Sequence, residues 1–145
     1  MTGSGILLYT YNPKDRKFYY LVQFVPNRNW IEDFGGIQEN GYSLLDTAIE
    51  EFIQETNNVL RLNKVDLLEL VLKNKVYHIQ NKSKQHKYHL FIIPVSPNYL
   101  RFRPIDFGPE ELYEKIPRIC KWMTIDEIKE YAIHPRIEKI INNLP

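Results

Sequence analysis

Two glutamates offer the chemistry this chain is best equipped to do. Glu51 and Glu55 stand four residues apart, in a segment where Leu45, Ala48, Ile49, Phe52 and Ile53 recur at three- and four-residue intervals. That period describes an amphipathic helix. The two carboxylates fall off its apolar stripe, with Cβ atoms about 5–6 Å apart. Both side chains can therefore reach one hard divalent cation, which prefers oxygen ligands. Gln54 lies beside them and offers a neutral oxygen, whereas Glu50 adds a further negative charge. Ser43 is placed to cap the helix, and Asp46 suits the positive end of its dipole, so the predicted helix runs from about Ser43 to Asn57. Glu39, in the loop that leads from Gly36 into the helix, is a third oxygen donor within reach. Taken alone, this segment describes an ordinary surface helix as well as it describes a metal site.

The run GGIQENGYSLLDTAIEEFIQETNN, Gly35 to Asn58, resembles the signature of the Nudix hydrolases. That signature reads G, five residues, E, seven residues, REUxEE, one residue and G, then U, where U is apolar. Counted from Gly36, Glu51 and Glu55 match the first and last glutamates of REUxEE, and Phe52 matches its apolar position. Tyr42 replaces the upstream glutamate, Glu50 the arginine, Gln54 the middle glutamate and Asn57 the glycine. Asn is the next-best residue for a left-handed helix end, so the last change is mild. WIEDFGG, Trp30 to Gly36, is similar to the strand that enters the family motif. KWMTIDEIKEY, Lys121 to Tyr131, is similar to its closing strand and short helix, and HPRIEKIINNL resembles a terminal helix.

The resemblance implies an α+β architecture, the Nudix fold: a mixed β-sheet flanked by helices in an α/β/α sandwich, formed as one domain over residues 1–145. It implies a divalent-metal-dependent hydrolase that cleaves the pyrophosphate bond of nucleoside diphosphate derivatives. The substrate would be a nucleotide-containing small molecule, a dinucleotide or capped RNA. Mg²⁺ or Mn²⁺ would be held by the Gly36 carbonyl, Glu51 and Glu55, with Gln54 a weaker ligand, and Glu51 and Glu55 would be the catalytic pair. Glu110, Glu111 and Glu114 occupy the late loop, where relatives often place a further base or ligand. The alternative implied by Tyr42, Glu50 and Gln54 is a weakened Nudix module that binds a nucleotide, RNA or protein partner without turnover.

Phosphate-binding candidates come from the basic residues. Arg101 and Arg103 alternate with Leu100 and Phe102, so in an extended segment both guanidinium groups face one side. With Glu39 they are the expected substrate contacts. Lys73, Lys75, Lys82, Lys84 and Lys87 gather around a hairpin with His78, His86 and His89, a pattern that also describes a solvated tip. Trp30, Phe34 and Tyr42 are candidates to stack on a base or, equally, to pack in the core.

The elements that must position these residues are legible as alternating runs. Ile6 to Tyr11 and Phe18 to Val25 read as a hairpin around Asn12-Pro13-Lys14-Asp15. VYHI and YHLFIIPV read as a second hairpin around NKSKQ, ended by Pro94 and Pro97. The stretch from Asn98 to Pro117 reads as loop, with one or two helical turns in PEELYEK. A chain of 145 residues buries about 68–70% of its unfolded surface, enough for one core without staples. The net charge of +1 demands neither a strongly acidic nor a strongly basic partner. The single cysteine, Cys120, has no internal disulfide partner and sits in an apolar strand, where packing explains it. With no membrane-length apolar run and no secretory pattern, the expected location is the cytoplasm. The abundance of Asn, Ile, Lys and Tyr suits an AT-rich genome, and for a virus the location would be the host cytoplasm. A homodimer is compatible with all of this, and nothing in the sequence selects an oligomeric state.

Overall fold

The computed structural model describes residues 1–81 and 86–145; Lys82 and Lys84 of the predicted hairpin tip lie outside the described residues. Thr2–Asn12 (β1) and Lys17–Val25 (β2) form the expected hairpin, in register from Tyr9 opposite Tyr20 to Asn12 opposite Lys17. Val76–Asn81 (β5) and His86–Pro94 (β6) form the second, and β6 runs parallel to β1 from Lys87 opposite Thr2 to Pro94 opposite Tyr9. Ile119–Met123 (β7) pairs antiparallel with β2. The sheet is therefore mixed, with Trp30–Glu32 (β3) at one edge and the order β3-β2-β1-β6-β5.

The segment expected as one strand from Trp30 to Gly36 is two. Trp30–Glu32 (β3) pairs with β2, whereas Phe34–Ile37 (β4) pairs with β1. Asp33 lies at the change of partner for a physical reason. Its carboxylate is fully buried and accepts hydrogen bonds from the Tyr88 hydroxyl at 2.6 Å and from Arg136 Nε at 2.5 Å. Its carbonyl accepts from Gln23 Nε2 at 3.0 Å. A buried carboxylate needs such partners, and meeting them turns the chain from one strand neighbour to the other.

Helices cover both faces of the sheet. Leu44–Glu55 (α1) and Lys64–Leu72 (α2) pack with Ile6, Leu8, Leu21, Phe91 and Trp122 on one side. On the other, Leu7, Tyr20, Val22, Leu90 and Ile92 lie beneath Ile125–Ile128 (α3) and Pro135–Glu138 (α4). Successive residues of β1 thus enter opposite cores, so a strand covered on both faces reads as a continuous apolar run. Among the described residues no helix is long and apolar enough to cross a membrane.

The late segment departs from expectation in three places. Helical turns fall at Pro97–Arg101 and Pro104–Phe107, both tight 3₁₀ turns opened by proline, rather than in PEELYEK. The alternating extended strand expected for Leu100 to Arg103 is consequently absent. PEELYEK is instead a turn closed by an isolated bridge between Glu110 and Pro117. Side chains claim the backbone groups a helix would need there: Asn57 Oδ1 accepts from the Leu112 N–H, and Glu111 accepts from the N–H groups of Tyr113 and Glu114. The expected terminal helix is also broken, into α4 and a 3₁₀ turn at Ile141–Asn143.

Candidate active site

Both ends of α1 are anchored, which fixes the direction of its carboxylates. At the start, Ser43 Oγ accepts from the Asp46 N–H at 3.0 Å, the expected N-cap, and Ser4 Oγ of β1 donates to the Leu44 carbonyl at 2.5 Å. At the end, Arg118, only 1% exposed, donates Nε and Nη2 to the Glu55 carbonyl at 3.1 and 3.0 Å. Its remaining bonds go to the carbonyls of Phe107 and Gly108. A buried cation at the negative end of a helix is favourable. Asn57 adopts the expected left-handed conformation, φ +55°, and its Nδ2 donates to the carbonyls of Phe107 and Glu110. Together Asn57 and Arg118 bind the late loop to the end of α1.

Glycines of β4 let the helix approach the sheet closely. A Cβ on Gly36 would meet the Glu51 carboxyl at 2.6 Å, so the Glu51 head group lies directly on the Gly36 backbone. The Gly35 N–H donates to Glu55 Oε1 at 2.8 Å. The two carboxylates are thus presented to one stretch of backbone, as the four-residue spacing on α1 requires.

This site is electrostatically uncompensated. Burial, and then the charges of Glu114, Glu39, Glu111 and Glu50, raise the Glu51 carboxyl above its ordinary range. Burial, and then Glu51, Asp33 and Glu32, push Glu55 well above it, opposed by the Gly35 hydrogen bond. Among the described residues no lysine or arginine forms an ion pair with Glu39, Glu50, Glu51, Glu55 or Glu114. Such a set of hard oxygen donors fits Mg²⁺ or Mn²⁺, whose charge would relieve the repulsion. No group of three or more His, Cys, Asp or Glu side chains converges at ligand spacing among the described residues. The donor set is two helix carboxylates, which suits an ion that retains several waters.

Two cavities adjoin at β4. A groove of about 130 Å³ is lined by Glu39, Tyr42, Glu50, Glu51, Gln54 and Glu114 together with Ile37. A pocket of about 420 Å³ lies beyond Gly36 and Ile37, walled by Trp30, Ile79, Tyr88, His134 and Arg136. The structure therefore gathers Glu39, Glu51 and Gln54 at the groove, with Gly36 against Glu51 on the pocket side and Glu55 bonded to Gly35. Gln54 Nε2 donates to Glu50 Oε1 at 3.3 Å, leaving the Gln54 carbonyl oxygen for other partners. Glu114 joins the groove from the late loop, whereas Glu111 is buried in capping that loop and half-buried Glu110 bridges it to Pro117.

Arg101 and Arg103 are not brought to this groove. They line a separate open cleft with Arg61, and Arg101 stacks on Phe102, 4.5 Å from its ring centroid, while donating to the Asn98 carbonyl. Phe34 is core, in an edge contact with Phe52. Trp30 borders the pocket with His134, ring centroids 4.5 Å apart, and Tyr42 borders the groove. His134, Arg136, Tyr88 and Arg118 were not singled out in the sequence as site residues. HPRIEKIINNL reads as a terminal helix, but nothing local showed that Arg136 would meet Asp33, over a hundred positions earlier in the chain.

Solved structures share this fold. An Ap4A hydrolase of C. elegans matches with a TM-score of 0.60 at 12% identity, over 97% of this chain and 92% of its own. The NUDIX domain of Shewanella oneidensis NrtR, complexed with ADP ribose, matches at 0.61 and 11% identity, over 98% of this chain and 84% of its own. The chain has the Nudix fold. A Nudix hydrolase of M. smegmatis, RenU, agrees at 0.56 and 14% identity, over 99% of this chain and 88% of its own. No family model matches the sequence, and no curated protein matches it. Within the Nudix fold, the segment from Gly36 to Asn57 forms the loop and helix on which the acidic groove is built.

Proposed function

We propose that this chain, as one Nudix domain spanning residues 1–145, is a divalent-metal-dependent hydrolase of the pyrophosphate bond in nucleotide derivatives. The observation that carries the reading is the juxtaposition at Gly36: uncompensated carboxylates on one side of its backbone, a nucleoside-sized aromatic pocket on the other. Glu51 and Glu55 would hold Mg²⁺ or Mn²⁺, with the Gly36 carbonyl and Gln54 as neutral oxygen donors. When bound, the ion would neutralise phosphate charge and increase the nucleophilicity of water. The chain's own contribution is positioning. Trp30 and His134 together offer one wall for the base to stack on, and Gly36 admits the phosphates close to backbone. Gly35 orients Glu55, and the groove acids Glu39 and Glu114 stand ready to accept the proton that water loses as its oxygen bonds to phosphorus and the bridging P–O bond breaks.

The Nudix-fold neighbours, among them an Ap4A hydrolase and a domain complexed with ADP ribose, support a nucleotide-containing small molecule as the substrate class. A binding module without turnover is favoured by one observation, the engagement of the Gln54 amide by Glu50 where the family has a carboxylate and an arginine. Phosphate or nucleoside monophosphate release from nucleoside diphosphate derivatives, dinucleotides and capped RNA separates the two. The hydrolase requires release that depends on Mg²⁺ or Mn²⁺ and falls at least about 100-fold in Glu55→Gln. Nucleotide binding without release above that variant would establish the module instead.

A further inference from the structure

The pocket beyond Gly36 has a polar reader. Its aromatic residues have each committed a polar group to the protein. Trp30 Nε1 donates to Glu32 at 2.8 Å, the Tyr88 hydroxyl donates to Asp33, and His134 Nδ1 accepts from the Arg136 N–H at 3.1 Å. No carboxylate lines the pocket among the described residues. Arg136 differs from these neighbours. Its Nε is anchored on buried Asp33, and its guanidinium lies 4.4 Å from the Tyr88 ring centroid, so the plane of the group is held from two directions. Its Nη groups bond no protein acceptor among the described residues, yet they are not among the sealed, unpartnered polar atoms, which are the hydroxyls of Thr10 and Thr47. They are therefore open to the pocket that Arg136 lines, and the side chain keeps 18% of its surface accessible.

We propose that Arg136 makes this pocket selective for 6-oxopurine nucleotides, its Nη groups donating to O6 and N7 of guanine or hypoxanthine while the base stacks beside Trp30 and His134. The proposal rests on the nucleotide-hydrolase reading above and assigns its base specificity. A guanidinium fork matches two adjacent acceptors on one ring edge, and guanine O6 and N7 form such a pair. Adenine places its N6 amino donor at the position of O6, so donor faces donor and one Nη group loses its partner. On the corresponding edge cytosine presents its N4 amino donor and uracil the single acceptor O4, each on a smaller ring.

The experiment measures binding of nucleoside monophosphates, which hold no pyrophosphate bond to cleave, by isothermal titration and by quenching of Trp30 fluorescence. The ligands are GMP, IMP, AMP and 2-aminopurine riboside monophosphate, the last lacking O6. The expected result is that GMP and IMP bind about tenfold or more tighter than AMP and the 2-aminopurine nucleotide. In Arg136→Lys, which keeps a cation against Asp33 but loses the fork, the four should bind alike. Equal affinity for GMP and AMP in the wild-type protein, or a preference that survives Arg136→Lys, overturns the assignment and leaves the hydrolase reading intact. Failure of all four to bind removes the pocket from both. The comparison of IMP with 2-aminopurine nucleotide uses the wild-type protein only, so it decides the matter even if Arg136→Lys is poorly folded.

Discussion

Replacing Gly36 with alanine should damage the groove while sparing the fold. The new Cβ would stand 2.6 Å from the Glu51 Cδ and Oε1 atoms and 3.0 Å from Cγ. Carbon contacts settle at about 3.5–4.0 Å, so the Glu51 head group must retreat by about 1 Å. Because the crowded atoms end a flexible side chain, the cost is that of one strained rotamer, about 0.5–1.5 kcal/mol. In a domain of this size that is a fall in Tm of only a few degrees. A 1 Å misplacement of a reacting group, by contrast, costs about 100-fold in rate. The assay pairs thermal unfolding with the Mg²⁺ dependence of pyrophosphate hydrolysis, and Gly35→Ala serves as the contrast. There the added Cβ would meet the Ser4 carbonyl oxygen at 2.6 Å and the Gly5 Cα at 2.8 Å, which are backbone atoms that cannot swing away. Gly35→Ala should therefore lose about 3 kcal/mol or more of stability. Wild-type turnover and metal dependence in Gly36→Ala would refute the placement of Glu51 at the centre of the chemistry. A collapse in stability equal to that of Gly35→Ala would refute the claim that only a side chain is displaced.

Three further outcomes follow from the same geometry. Gln54→Glu restores a carboxylate beside Glu51 and should tighten Mn²⁺ binding on the order of tenfold, read by titration of the metal; unchanged affinity would take Gln54 out of the donor set. Arg118→Ala strips the donors from the carbonyls of Glu55, Phe107 and Gly108 and should lower stability by about 3 kcal/mol or more in urea unfolding, with Glu114 released from the groove. His134 is held down at about 4 from its ordinary 6.5, by burial first and then by Arg136. The folded state thus resists a proton that the unfolded chain accepts below pH 6.5, so the contribution of His134 is complete above pH 6.5 and is lost as pH falls toward 4. In His134→Gln the decline of Tm across that window should be shallower than in the wild type, and an identical decline would count against the shift.

Much of the architecture was legible because it rests on local rules. Ser43 capped α1 where its side chain and the apolar period said it would, and Asn57 took the left-handed turn that its residue type tolerates. Both hairpins followed from apolar runs separated by turn residues. Two of the misreadings share one cause, which is competition from distant side chains. PEELYEK has helical propensity, yet Asn57 and Glu111 take its backbone groups. Trp30 to Gly36 has the composition of one strand, yet buried Asp33 must reach Tyr88 and Arg136. Arg101 and Arg103 alternate in sequence, yet prolines on either side wind their segment into 3₁₀ turns facing another cleft.

By itself the sequence determined that Glu51 and Glu55 share a helix face and that a mixed sheet with helices surrounds them, whereas Gly35 and Gly36 lie in strand β4 rather than in a turn. Helical and strand periods are properties of neighbours along the chain, so residue types reveal them directly. Only the tertiary structure decided that the Glu51 carboxyl rests on the Gly36 backbone, that Arg118 anchors the far end of α1, and that Trp30, Tyr88, His134 and Arg136 enclose one pocket. Those contacts join positions from opposite ends of the chain. Their partners are set by how two cores pack on one sheet, and no window of sequence contains both members of such a pair.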